Sequence, residues 1–207
     1  MAERPILFSA PMVRAILAGT KTQTRRVVKW RGLQPGLNLG FSGLSVERSG
    51  SNFVLSSPTR TSHEYRSVPQ PCPYGQPGDQ LWVRETWHTV DGAHAFYRAD
   101  YQHDPKGDRE HGITWRPSIH MPRWASRITL VITGVCVERL QAISEDDARA
   151  EGCAPAWLDA DDNETVHVHA QPTYRQGFAR LWRDINGAES WSADPFCWVV
   201  EFKRVTP

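Results

Sequence analysis

Lys21 and Thr24, three residues apart in the stretch ILAGTKTQTRR, are the side chains in this sequence best suited by type to act as a base and a nucleophile. A threonine hydroxyl is a poor nucleophile until a base removes its proton. A lysine is such a base only when neutral, and with a reference pKa of about 10.4 roughly one in 2,500 is neutral at pH 7. Burial and nearby cations both disfavour the charged form and raise that fraction. Arg25 and Arg26 adjoin Thr24 and supply the cations. Arginine cannot act as the base because it stays protonated. Only four of the 24 basic residues are lysines, so a lysine at this position is a small argument for proton transfer. The local sequence alone favours a plainer reading, a surface lysine at the turn after a helix.

A carboxylate would complete a proton-transfer set. Glu151 sits in the last turn of a short acidic helix, SEDDARAEG at 144–152. The helix dipole disfavours a carboxylate there, so helix energetics do not explain it. A cationic partner elsewhere would, and Lys21 is the candidate; the alternative is a solvated charge. Glu85 is the other carboxylate, at the end of the apolar strand LWVRETW (81–87) between Arg84 and Trp87. Strand ends and the loops they lead into often carry site residues. Trp82, Trp87, Tyr97, Trp115 and Trp124 cluster around it in sequence and are able to stack on a planar base, although most such rings pack into cores. His167 and His169 have the i, i+2 spacing of metal ligands on a strand, but no third ligand is evident and no metal or other cofactor is expected. The sequence has no Gly-rich phosphate loop and no Ser-His-Asp signature.

The elements that must position these residues follow from local pattern. PILF (5–8) reads as a short strand, and Ser9 as the cap of a helix over 10–18 that Gly19 stops. TQTRRVV (22–28) is rich in β-branched residues and reads as a strand. Residues 31–78 are rich in Gly, Ser and Pro and form an irregular excursion with a hairpin around 43–55. HAFYRAD (94–100) reads as a strand and 101–124 as a loop. SRITLVITGVCVERL (126–140) is the longest β-type run, with a bulge expected at Gly134. Ser144 and Asp147 make a capping box for the 144–152 helix. Residues 153–171 are a polar insertion, 172–187 an amphipathic helix with Phe178, Leu181, Trp182 and Ile185 on one face, and 196–205 a closing strand. Strands separated by long excursions, with about three peripheral helices, predict an α+β fold built on a small mixed β-barrel in a single domain.

The 207 residues carry a net charge of +1, which lacks the basic excess of a dedicated nucleic-acid domain. The charge is uneven: residues 1–30 hold six basic and one acidic residue, and residues 138–164 nine acidic and two basic, so the two regions are able to attract one another. No apolar run approaches a membrane span or a signal peptide, so no membrane association is expected. Cys72, Cys136, Cys153 and Cys197 are scattered without a C-x-x-C, which suits free thiols in a reducing cytoplasm.

FSAPMVRAILAGTKTQTRR resembles the opening of an ASCH domain, a PUA-like barrel family whose signature G-x-K-x-x-T/E-x-R is present as Gly19, Lys21, Thr24 and Arg26. PGDQLWVRETW (77–87) is similar to the second block of that family, and WVVEFKRV to its closing strand. The excursions at 31–75, 101–124 and 153–171 resemble those of larger bacterial and prophage members. Within the family the chain is similar to small bacterial N4-acetylcytidine amidohydrolases. The resemblance implies Thr24 as nucleophile, Lys21 as base and Glu151 as the carboxylate, through the match of SEDDARAE to the family's T-E-x-x-A-x-x-E, with Glu85 as alternative. It implies a small-molecule substrate, a modified nucleoside, contacted by Phe8, Arg26, Arg84, Glu85, Trp87 and Tyr97. The resemblance leaves an RNA-binding module or ribonuclease of the PUA-like/ASCH type as the alternative, and the basic stretch KTQTRRVVKWR (21–31) with Trp30 would then track phosphates.

Overall fold

The computed structural model describes residues 1–33, 37–41, 43–57, 65–101, 105–157 and 171–205. The strands are β1 (Glu3–Leu7), β2 (Gln23–Val27), β3 (Ser45–Ser49), β4 (Asn52–Ser57), β5 (Tyr65–Arg66), β6 (Gln70–Pro71), β7 (Gln80–Arg84), β8 (Trp87–His88), β9 (Phe96–Tyr97), β10 (Thr129–Arg139) and β11 (Phe196–Arg204). The helices are α1 (Ala10–Leu17), α2 (Pro105–Glu110), α3 (Glu145–Ala150) and α4 (Tyr174–Asn186). None is long and apolar enough to cross a membrane.

Five strands form the principal sheet in the order β1-β7-β10-β11-β2. β1 runs parallel to β7, and the remaining pairs are antiparallel. The register of β10 on β11 shifts between Ile132 and Gly134, the bulge expected from the glycine. β1 and β2 are the two edges, yet Arg26 of β2 donates to the Leu7 carbonyl at the end of β1 at 2.7 Å. The sheet therefore curls until its edges lie within one side chain of each other. Among the described residues no backbone ladder joins them. The protein is thus a mixed α/β fold; among the described residues the expected barrel is not closed, and one Arg26 side chain spans from β2 to the end of β1. The expected hairpin around 43–55 is present as β3 and β4, which join β5 and β6 in a second sheet.

Period-2 alternation explains the layers. Along β11, Phe196, Trp198, Val200 and Phe202 point into the main core, with Ile6, Phe8, Leu81 and Leu130. Cys197 points the other way, into a second core with Leu140, Ile143, Ala148, Phe178 and Trp182. The first part of this strand, 196–200, is buried on both faces and wholly apolar, whereas Glu201, Lys203 and Arg204 are exposed. All four cysteines are free, and burial raises the Cys136 and Cys197 thiols to about 12.

Two segments differ from expectation. Only Phe96–Tyr97 of the stretch 94–100 is strand; Arg98–Asp100 turns in a short 3₁₀ helix, with the Arg98 amide donating to the Thr86 carbonyl at 2.9 Å. Residues 101–124, read as a loop, contain α2 and two 3₁₀ turns. Most of the expected insertion at 153–171, including His167 and His169, lies outside the described residues.

α4 is capped by the Thr173 hydroxyl, which accepts from the Gln176 amide at 3.1 Å. It packs so closely on the 153–157 segment that a Cβ at Gly177 would run into the Ala154 carbonyl oxygen. Alanine is the better helix former by about 1 kcal/mol. Gly177→Ala is nevertheless expected to destabilise, by roughly 1–3 kcal/mol from overpacking, measured as a lower urea midpoint. A midpoint equal to or above that of the parent protein would show that α4 is free to move away.

Candidate active site

The turn after α1 carries Lys21. Gly19 adopts φ +74°, and the amides of Thr20 and Lys21 both donate to the Ala15 carbonyl, at 2.9 and 3.1 Å. The chain then meets the end of α3: an antiparallel bridge pairs Lys21 with Glu151, and the Thr22 amide donates to Ala150 at 2.8 Å. α3 is set in place by the expected capping box between Ser144 and Asp147. Gly152, at φ +78°, turns the chain away where a Cβ would lie 2.9 Å from Lys21 Cβ and 3.0 Å from Ala15 Cβ. Only glycine allows this conformation and this approach without strain.

The two side chains brought together are Lys21 and Glu151, 2 % and 6 % exposed. Lys21 Nζ donates to the Gln23 carbonyl, the Glu151 carbonyl and Glu151 Oε2, each at 2.8 Å. Three acceptors for three N–H groups define a fully satisfied ammonium. Phe8 lies beneath this cluster, its ring centroid 5.7 Å from Lys21 Nζ and 5.5 Å from the Arg26 guanidinium.

Thr24 and Arg26 lie opposite Val200 and Trp198 in the β2–β11 pair, which places both on the face of the main core. Arg25 points to the helical face. Its Nη2 reaches Glu138 Oε2 at 3.1 Å and Asp147 Oδ2 at 3.3 Å, and its Nη1 lies 3.6 Å from Glu151 Oε1. The basic and acidic regions of the sequence therefore meet here. Lys21 and Arg25 stand against Glu151, Asp147 and Glu138. Glu151 Oε1 is buried without a hydrogen-bond partner. No described group makes a hydrogen bond to the Thr24 hydroxyl. A cleft of about 80 Å³ is lined by Lys21, Thr24 and Glu151 and walled by Leu181, Trp182 and Ile185 of α4.

The other expected contact residues lie elsewhere. Glu85, 1 % exposed, is gripped by Arg127, whose Nε and Nη2 reach its two oxygens at 2.9 and 3.1 Å. Arg127 also holds Asp100 through two bonds, at 2.7 and 2.8 Å, and stacks 3.9 Å over the Tyr97 ring. Burial raises the Glu85 pKa, and the Arg127 bonds oppose that rise. The Tyr97 hydroxyl donates to the Ala125 carbonyl at 3.0 Å. Trp87 is 2 % exposed in a small core with Met121 and Ala125. Arg84 donates to the Ile119 carbonyl and lies over Trp82. Glu85 and Tyr97 thus gather around Arg127, Arg84 and Trp87 have separate partners, and none of the four lines the Lys21 cleft. The partner of Glu85 was not legible in the sequence because Arg127 lies 42 residues away. The cleft wall was legible in part, since Leu181, Trp182 and Ile185 belong to the apolar stripe of α4. Among the described residues no group of three His, Cys, Asp or Glu side chains is placed to hold a metal.

Comparison with protein-family models, curated proteins and solved structures finds no match to this chain.

Two stability predictions follow from the buried charges. Glu151→Leu strands the Lys21 charge and Lys21→Met leaves Glu151 only the 3.6 Å contact to Arg25; the first is expected to lose about 3–5 kcal/mol and the second somewhat less. The double variant Lys21→Met/Glu151→Leu is expected to recover most of that loss in a denaturant double-mutant cycle. Additive losses would show that the pair is not coupled. For Asp147, burial disfavours the charge, but hydrogen bonds from Ser144 and the Arg25 charge outweigh it and lower the pKa. A lowered folded-state pKa stabilises the fold above the unfolded value of about 3.9, and this contribution is lost as pH falls through the folded value. Asp147→Asn is expected to flatten the acid limb of the stability–pH curve below about pH 4, with little change in slope near neutrality. An unchanged acid limb would assign it to other carboxylates.

Proposed function

We propose that this protein is an amidohydrolase that removes acyl groups from N4-acylated cytidine or related cytosine nucleosides. The observation that carries the proposal is the Lys21–Glu151 pair, 2.8 Å apart and buried, formed by residues 130 positions apart beside a threonine whose hydroxyl no described group engages. The resemblance of the sequence to ASCH-domain amidohydrolases supplies the substrate class. A nucleophile, a lysine and a carboxylate in one cleft form the set that acyl transfer through a hydroxyl requires.

The hydrogen bonds constrain the mechanism. With three protons on three acceptors, Lys21 has no lone pair to offer in the resting state. To act as base it passes a proton to Glu151 along their hydrogen bond, and the neutral amine then turns from one of its acceptors toward Thr24. Thr24 Oγ attacks the amide carbonyl as Lys21 takes the hydroxyl proton. The C–N bond breaks as that proton is delivered to the leaving cytosine amine. Water then hydrolyses the acyl-threonine ester, releasing the carboxylic acid and restoring the hydroxyl. The amides after Gly19 are not available to the oxyanion, because those of Gly19, Thr20, Lys21 and Thr22 all donate to backbone carbonyls. Arg26, whose Nε is buried without a partner, is the nearest charged donor on the Thr24 face of β2.

The RNA-binding alternative draws on the basic stretch 21–31, but the fold uses most of that charge internally. Lys21 and Arg25 are in buried ion pairs, Arg26 is bonded to Leu7, and Trp30 packs edge-on against Phe196. Lys29 and Arg31 alone in that stretch remain exposed cations.

Incubation with N4-acetylcytidine, read as free cytidine by chromatography, tests the proposal. Thr24→Ala is expected to reduce release to background, and Lys21→Met to slow it by roughly 10²–10⁴-fold, with circular dichroism confirming folded protein. Full activity in folded Thr24→Ala would overturn the mechanism.

A further inference from the structure

The cleft beside Thr24 is lined by the consecutive residues Thr24, Arg25, Arg26 and Val27. Successive side chains on a strand point to opposite faces, so a cleft on one face would touch only every second residue. This cleft instead runs along the edge of β2, where β2 is the last strand of the sheet.

The ladder shows which backbone groups face that edge. Val28 donates to the Phe196 carbonyl and Phe202 to the Thr22 carbonyl, both at 2.8 Å. In an antiparallel pair the hydrogen-bonded positions alternate with those that face away. With Thr22 and Val28 bonded to β11, the same register bonds Thr24 and Arg26 to it. The N–H and C=O groups of Gln23, Arg25 and Val27 therefore point outward. Lys21 Nζ confirms the direction by donating to the Gln23 carbonyl at 2.8 Å. Among the described residues no hydrogen bond engages the backbone groups of Arg25 or Val27. Across the cleft, α4 supplies an apolar wall that remains open to solvent at its rim: Ile185 is 56 % and Val27 43 % exposed. Fixed donors and acceptors in a row, facing an apolar wall, suit a flat ligand with a polar rim.

We propose that the free edge of β2 holds the pyrimidine of the substrate, with the Val27 N–H as a donor to the ring and the apolar stripe of α4 against its face. This inference rests on the amidohydrolase reading. It also assigns the division of labour along the strand. At about 3.3 Å per residue, Val27 stands roughly 10 Å beyond Thr24, too far to touch the reacting carbonyl and at a suitable reach for the ring attached to it. The Val27 N–H is thus a binding group, and its loss raises KM and leaves kcat in place.

Val27→Pro removes that N–H and changes the side chain, and Val27→Ala serves as the control for the side-chain change. The nitrogen of residue 27 faces away from β11, and proline is tolerated at such edge positions. In the N4-acetylcytidine assay, Val27→Pro is expected to raise KM about tenfold, the effect of one lost hydrogen bond, with kcat within about twofold; Val27→Ala keeps the N–H and is expected to match the parent protein more closely than the proline variant does. An independent measurement needs no variant. On titration of ¹⁵N-labelled protein with cytidine, the Val27 amide is expected to be among the most shifted resonances and to gain protection from hydrogen exchange. Hydrolysis with an unchanged KM in folded Val27→Pro, or a Val27 amide that cytidine leaves unshifted, would overturn the edge-binding inference and leave the amidohydrolase reading standing. Absence of hydrolysis by the parent protein would overturn that reading and this inference with it.

Discussion

Burying an ammonium is costly in free energy unless each of its protons finds an acceptor. Around Lys21 the fold meets that condition with groups from two distant parts of the chain. One acceptor is the Gln23 carbonyl, which faces the unpaired edge of β2. The others are the Glu151 carbonyl and carboxylate, at the C-terminal end of α3. Bringing them together requires the turn after α1, the capping box that orients α3, and Gly152, where no larger residue clears Lys21 and Ala15. The same constraint places Thr24 in the cleft, because it leaves the turn three residues after Lys21 and its side chain must alternate with that of Arg25.

The two buried carboxylates illustrate one physical rule with two outcomes. Glu85 has both oxygens bonded to Arg127, and Arg127 is saturated by Asp100 and stacked on Tyr97. Both Glu85 oxygens and the Arg127 guanidinium therefore have partners, and the pair ties the end of β7 to the segment before β10. Glu151 has one oxygen bonded to Lys21 and the other without a hydrogen bond. It stands next to an unengaged hydroxyl and a row of unpaired backbone groups. Unmet bonding capacity in a buried cleft is destabilising for a fold and able to serve binding; at the Lys21 cleft it comprises Glu151 Oε1 and the Nε atoms of Arg25 and Arg26.

Much of the secondary structure was legible because it is enforced locally. The capping box at Ser144, the stripe of α4, the hairpin of β3 and β4 and the bulge at Gly134 follow from side-chain period and turn chemistry within a few residues. The stretch 94–100 was legible only in part: its aromatic content suits a strand, and the pairing with β8 runs as far as the Arg98 amide on the Thr86 carbonyl, after which the Tyr101 amide closes a 3₁₀ turn on the Arg98 carbonyl. The expected link between Glu85 and the site rested on adjacency to a strand end. It failed to anticipate Arg127, which only the pairing of β7 with β10 brings near.

The sequence by itself determined the identity and order of the lysine, threonine and arginines at residues 21–26 and the acidic helix able to answer them, because both are set by residue type and short spacing. Tertiary structure alone decided that Glu151 and not Glu85 meets Lys21, that Arg25 faces carboxylates and not solvent, and that β2 is an edge strand with open backbone groups. Each of these depends on strand order and register. Register assigns side chains to faces, and strand order determines which strand is left with an unpaired edge.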